Sequence, residues 1–228
     1  MIEENIKIIG STLPASVKLI AVSKTRPTED ILKAYHVGQR AFGENKVQEM
    51  VDKYTQLPND IEWHMIGHLQ SNKVKYIAPF ASYIHSVDSA KLFEVIEKEA
   101  QKVGRRINCL LQVYIAQEET KFGFTEEELL TFLNSDSFKN STAITICGLM
   151  GMATFTDKKE QIKIEFRSLS QLFTKIKNQF FSSSDSFKEL SMGMSDDYKI
   201  AIEEGSTMVR LGTTIFGTRQ KEIFKSRN

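Results

Sequence analysis

The sequence predicts an α/β protein, a single (β/α)8 TIM barrel with one extra helix at its N-terminus. Eight short apolar runs recur along the chain, each followed by a segment with helical signals. A chain that alternates strand and helix in this way builds a parallel sheet. Its 228 residues also suit closure, since barrels of this kind start near 200 residues and are typically about 250. An open doubly wound sheet is the competing arrangement, but eight units running one way favour the barrel. With no internal boundary in the composition, residues 1–228 read as one domain.

Residues 1–14 begin the chain as an amphipathic helix with Ile2, Ile6, Ile8 and Ile9 on its apolar face, expected to cover the bottom of the barrel. The first strand runs from Lys18 to Lys24, the second from Ala41 to Asn45, the third from Glu62 to Gly67 and the fourth from Tyr83 to Val87. The fifth spans Asn108 to Ile115, the sixth Ala143 to Leu149, the seventh Glu189 to Met192 and the eighth Met208 to Gly212. Short apolar runs bounded by turn residues fit strands buried on both faces. Among the helices, the one from Thr28 has that residue as its cap after Pro27, and carboxylates in its first turn. The next is capped at Asp88 or Ser89, with Leu92, Val95, Ile96 and Ala100 at helical spacing. Thr125 with Glu128 forms a capping box. The longest helical pattern extends from Asp157 to Phe181 and ends in a serine-rich loop.

Composition excludes several classes of protein. The chain is 41% hydrophobic and 26% charged, and 30 basic against 29 acidic residues leave a net charge of +1. No basic surplus points to nucleic acid or an anionic membrane surface. No apolar run approaches the roughly 20 residues that span a bilayer, and the N-terminus lacks the pattern of a signal peptide. Cys109 and Cys147 sit inside apolar runs without metal-like or redox spacing, so they read as buried thiols in a cytoplasmic protein. His36, His68 and His85 share no metal-ligand spacing. His64 alternates with Ile66 and is expected to face the barrel as a hydrogen-bonded core residue.

The active site of such a barrel lies at the C-terminal ends of its strands. Lys24 ends the first strand and shares a face with Val22 and Ile20, so it is expected as the one ionisable group above an apolar stack. An amine there would lose its proton readily and condense with a carbonyl. The alternative is a lysine that reaches solvent or pairs with a carboxylate. The loops after strands seven and eight commonly hold a phosphate. They contain Ser195, Gly212 and Thr213 here, with Ser195 also a plausible cap for the next helix. A rim lysine and a phosphate cup together are the two attachment points of pyridoxal 5′-phosphate. Glu118, Glu119 and Lys121 form a charged loop after strand five, either a lid or a solvated loop.

These residues fall within a series of motifs. In order they are Ala21 to Thr25, Phe42 to Asn45, Trp63 to Gly67 with Leu69 to Lys73, and Glu118 to Gly123. Gly148 to Ala153, Leu190 to Ser195, Val209 to Thr213 and Phe216 to Arg219 complete the series. Over nearly its whole length the chain resembles the pyridoxal phosphate homeostasis proteins, the YggS/PROSC family, whose barrel is similar to the N-terminal domain of alanine racemase. The resemblance implies that Lys24 carries the aldimine and that Ser195, Gly212 and Thr213 hold the phosphate. It also places Arg210 against the pyridine nitrogen and Asn45 at the edge of the ring. Thr154 departs from the pattern, standing where the family usually has proline, an exchange expected to loosen the loop after strand six.

The implied function is a non-catalytic protein that holds the cofactor and exchanges it with the free pool or with client enzymes. It is expected to be a monomer. The alternatives are a pyridoxal phosphate-dependent racemase or decarboxylase and a Schiff-base aldolase. The chain ends at Asn228, so no second domain is expected to complete a racemase site. A lysine alone serves only one face of a carbanion.

Overall fold

Each apolar run becomes a strand paired in parallel with the next, and the last returns to the first. The computed structural model describes residues 1–117 and 122–218. Its strands are β1 (Lys18–Val22), β2 (Ala41–Glu44), β3 (Glu62–Met65), β4 (Tyr83–Val87), β5 (Ile107–Gln112), β6 (Ile144–Met150), β7 (Glu189–Met194) and β8 (Met208–Leu211). They form a closed barrel in chain order. At the seam Leu19 lies opposite Val209 and Ile20 opposite Arg210. The loop residues Glu118, Glu119 and Lys121, and the motif residue Arg219, lie outside the described residues.

The helices are α1 (Ile2–Thr12), α2 (Thr28–His36), α3 (Val47–Tyr54), α4 (Val74–Ile77), α5 (Ala90–Lys102), α6 (Glu126–Asn134), α7 (Asp136–Lys139), α8 (Lys159–Phe180), α9 (Tyr198–Glu203) and α10 (Thr213–Phe216). Ser89 caps α5 by accepting from Leu92 N–H at 3.3 Å. Thr125 and Glu128 form the expected reciprocal box at α6. At α2 the cap is Pro27 rather than Thr28. Proline's missing N–H is no loss at that position.

Most of the apolar core lies between the sheet and its ring of helices, where Ala21, Phe42, Trp63, Leu111, Phe166 and Val209 are all buried. A smaller cluster of Ile20, Ala41, Leu110, Cys147, Met150 and Met208 packs separately. Cys109 and Cys147 are both buried free thiols. The N-terminal helix does not lie under the barrel. It packs against α2 and α10 in the outer ring, and the Asn5 amide donates to Ile215 O at 2.9 Å. Ile6 and Ile9 are buried there, whereas Ile8 is 55% exposed, because a helix packed along one side buries only a narrow stripe. No helix among the described residues is long and apolar enough to cross a membrane.

The loop after β6 is fastened where the sequence suggested loosening. Thr154 N–H donates to Glu165 Oε2 at 2.6 Å, and its hydroxyl donates to Oε1 at 2.7 Å. Gln117 N–H in turn donates to the Thr154 hydroxyl at 2.9 Å. Glu165 is a buried carboxylate on α8, so these donors offset the cost of removing its charge from water. Proline offers neither an N–H nor a hydroxyl. Thr154→Pro is expected to lower stability by about 1–3 kcal/mol, read from the midpoint of urea unfolding. An unchanged midpoint would show that Glu165 draws no stability from Thr154.

Candidate functional site

Four strand ends meet at a cavity of about 460 Å³ lined by Lys24, Asn45, Ser195, Arg210, Gly212 and Thr213. All six residues singled out in the sequence are thus brought together. Val22, Arg26, Ile66, Met152, Phe155, Met194 and Asp196 complete the wall. Sheet pairing stops at Val22, and half-buried Lys24 sits in a turn closed by Arg26 N–H donating to Ser23 O at 3.0 Å.

Asn45 follows β2 and is pressed against the chain leaving β3. A Cβ at Gly67 would lie 2.4 Å from Asn45 O, so only glycine allows this approach. Ser195 is not a helix cap. Asp197 takes that position before α9, and its carboxylate accepts from Met194 N–H at 2.6 Å. The Ser195 hydroxyl instead accepts from Gly212 N–H at 3.3 Å and Thr214 N–H at 3.4 Å. Gly193 makes this possible. It adopts φ +93°, and a Cβ there would lie 2.6 Å from Ala201 Cβ, at an irregularity in the pairing of β7 with β8.

Arg210 is only 4% exposed. Its guanidinium donates to the Ser191 hydroxyl at 2.6 Å and to Gly151 O at 3.1 Å. The Ser191 hydroxyl lies 3.0 Å from His85 Nδ1, and His85 Nε2 lies 2.8 Å from His64 Nδ1. The directions of these bonds follow from chemistry. Arginine only donates, so Ser191 accepts from it and gives its own proton to His85 Nδ1. His85 then carries its hydrogen on Nε2 and donates to His64. His64 keeps a hydrogen on Nε2, which points towards Glu62 Oε2 at 3.8 Å. At the strand starts Glu62 pairs with Lys18. Burial pulls Arg210 down to about 10, so it is still cationic at neutral pH, with Asp197 acting in its favour. Burial also pulls His64 down to about 4 and His85 well below its ordinary value. Both histidines are neutral at pH 7.

This arrangement corrects the expected apolar stack beneath Lys24. The interior carries a polar series from Arg210 to Glu62, and the sequence reading missed Ser191 and His85 as members of it. Only the alternation of His64 with Ile66 hinted at an inward histidine. No group of three His, Cys, Asp or Glu residues able to hold a metal occurs among the described residues.

Comparison with known proteins agrees with the barrel fold. The family model of the alanine racemase N-terminal domain matches residues 1–220. The pyridoxal phosphate homeostasis protein of Synechocystis sp. is 42% identical over 214 residues, which is 92% of this chain and 95% of the relative. The chain belongs to the pyridoxal phosphate homeostasis family. Its member from Schizosaccharomyces pombe is 35% identical over 91% of this chain and 86% of its own. The solved structure of PipY from Synechococcus elongatus with PLP bound superposes with a TM-score of 0.86 at 37% identity, covering 95% of this chain and all of that one. Alanine racemase from Bartonella henselae shares the fold, with a TM-score of 0.70 at 14% identity over 95% of this chain and 58% of that one.

The two buried neutral histidines make stability depend on pH. Their folded-state pKa values lie below the ordinary 6.5, so the unfolded chain binds more protons as pH falls through 6.5 towards 4. Their contribution is complete above pH 6.5 and declines below it, by up to about 1.4 kcal/mol per pH unit for each histidine. Lowering the pH from 7 to 5 is expected to remove roughly 2–4 kcal/mol through the pair, measured by urea unfolding. The slope should flatten in a His64→Gln/His85→Gln variant. An equally steep slope in that variant would assign the effect to other groups.

Proposed function

We propose that this chain binds pyridoxal 5′-phosphate at the mouth of the barrel, holds it through Lys24 and serves its homeostasis without transforming amino acids. The observation that carries this reading is the convergence of Lys24, Asn45, Ser195, Arg210, Gly212 and Thr213 on one cavity. The donor set fits the group. The cofactor supplies an aldehyde that condenses with an amine, releasing water, and a phosphate that anchors it. Lys24 offers the amine. The Ser195 and Thr213 hydroxyls and the N–H groups of Gly212 and Thr214, two of which already converge on Ser195 Oγ, suit the phosphate. Asn45 suits the edge of the ring. The homeostasis relatives at up to 42% identity and the PLP-bound PipY structure support the same assignment.

Arg210 favours storage over turnover only in combination with the scarcity of proton-transfer groups at the site. A fixed guanidinium donates to a ring nitrogen placed against it and keeps that nitrogen unprotonated, since two cations repel. The ring is then a weaker electron sink. Racemisation also needs proton-transfer groups on both faces of the substrate carbon. Among the described residues lining the cavity, Lys24 is joined by no histidine, tyrosine or cysteine, the one carboxylate being Asp196 next to Ser195 in the phosphate loop, and both barrel histidines are fully buried. The reading includes a monomeric, single-domain cytoplasmic protein that exchanges its cofactor with client enzymes. The two buried free thiols support a reducing compartment.

Reduction of the loaded protein with borohydride is expected to leave a pyridoxyl adduct on Lys24, and Lys24→Ala to remain folded without one. Mass spectrometry of the peptides decides it, and an adduct on another lysine would sink the assignment. The loaded protein is further expected to release no appreciable D-isomer from single L-amino acids, because the loss of one acid or base typically lowers a rate by about 10²–10⁴. Chiral chromatography tests this. Lys24-dependent racemisation above roughly one turnover per second would make the chain an ordinary racemase.

A further inference from the structure

The turn that carries Lys24 is strained and held from behind. Thr25 has φ +63°, the one left-handed residue among the described non-glycine residues. A β-branched side chain strongly disfavours that conformation. Such outliers persist only where their surroundings impose them, and they concentrate at functional sites.

The surroundings here are a buried ionic cluster on the outer side of β1 and β2. The Lys53 ammonium, 6% exposed on α3, donates to Ser23 O at 2.8 Å, Glu44 Oε1 at 2.7 Å and Glu49 Oε1 at 2.7 Å. Those three bonds use every N–H the ammonium has. Glu49 Oε1 also accepts from Thr25 N–H, and the Ser23 hydroxyl donates to Glu44 Oε1 at 2.6 Å. The peptide groups on either side of Lys24 are therefore tied to one ion pair, Ser23 O to the ammonium and Thr25 N–H to the Glu49 carboxylate. On the far side of the turn, Arg26 donates to Gly217 O and lies over the Phe216 ring at 5.8 Å.

We propose that Glu49 and Lys53 are positioning residues that hold the strained turn from Ser23 to Arg26 so that the Lys24 amine is presented to the cavity. The inference rests on the reading of Lys24 as the covalent anchor. A cluster that served stability alone would have no reason to grip both peptide groups around one lysine or to impose a left-handed threonine. Without the Glu49 acceptor the turn relaxes, and the amine no longer meets an aldehyde seated by the phosphate cup. Lys53 would keep Ser23 O and Glu44 as partners, so the cluster remains charge-paired.

The test compares two ligands that share a phosphate and a ring. Pyridoxal 5′-phosphate has the aldehyde that Lys24 needs, and pyridoxine 5′-phosphate does not. In Glu49→Ala, affinity for pyridoxal 5′-phosphate is expected to fall by about tenfold or more, with affinity for pyridoxine 5′-phosphate unchanged within about twofold. Glu49→Gln keeps an acceptor oxygen for Thr25 and is expected to retain most of the aldehyde-dependent affinity. Binding of pyridoxine 5′-phosphate also verifies that each variant is folded. Equal losses for both ligands in Glu49→Ala, or no loss for either, would overturn the proposal. Mapping the borohydride adduct in the unsubstituted protein separates the two readings. An adduct away from Lys24 fails the anchor itself, whereas an adduct on Lys24 with parallel losses in Glu49→Ala fails only the clamp.

Discussion

A guanidinium buried inside a barrel sets the terms for everything around it. Arg210 lies almost wholly out of water, where an unsatisfied charge would cost several kcal/mol. The Ser191 hydroxyl and Gly151 O accept hydrogen bonds from it, and Asp197 supplies opposing charge. Ser191, having accepted, must donate onward. That single directional demand selects the tautomers of His85 and His64, while burial keeps both rings neutral. The Arg210 charge adds to the effect of burial at His85, where a second cation beside it would have no compensation.

The two sides of the sheet consequently do different work. Outside, a broad apolar cluster packs strands against helices in the manner of any parallel barrel. Inside, the apolar cluster is small, and the remaining room goes to groups whose positions are set by hydrogen bonds. Bonded networks of this kind tolerate few alternative arrangements. They hold Arg210 at a fixed place at the cavity, while Gly67 and Gly193 adjust the backbone so that Asn45 and Ser195 face the same space.

Much of this was legible in the sequence, for identifiable reasons. Parallel strands buried on both faces read as unbroken apolar runs, so all eight could be placed. The strand-end rule then confined the search for chemistry to a few loops, and Lys24 and Ser195 lie in two of them. Local signals such as the box at Thr125 and the cap at Ser89 were equally readable, since both partners lie within one turn. Contacts between distant residues were not. His85 and Ser191 stand 106 residues apart, and nothing in either segment announces the other. Neither Lys53 nor α3, which carries it with Glu49, was distinguished in the sequence. Thr154 misled because only its long-range partner Glu165 reveals that the departure from proline is compensated. Ile8 misled because an isoleucine adds to a helical apolar face in sequence whether or not anything covers it.

The seam between β1 and β8 gives the cavity a mechanical meaning. Lys24 follows the first strand of the chain, and Gly212 and Thr213 follow the last, so a ligand gripped by both spans the line along which the barrel closes. Arg26 already ties the Lys24 turn to Gly217, beyond α10. A covalent bond at one end and a phosphate at the other would add a removable cross-link between the chain's two extremities, closing a loop of almost its full length. Cross-links across long loops restrict the unfolded ensemble most, and a ligand bound only by the folded state stabilises it in proportion to its occupancy. On that reading the filled barrel would resist unfolding more than the empty one, by an amount that grows with ligand concentration.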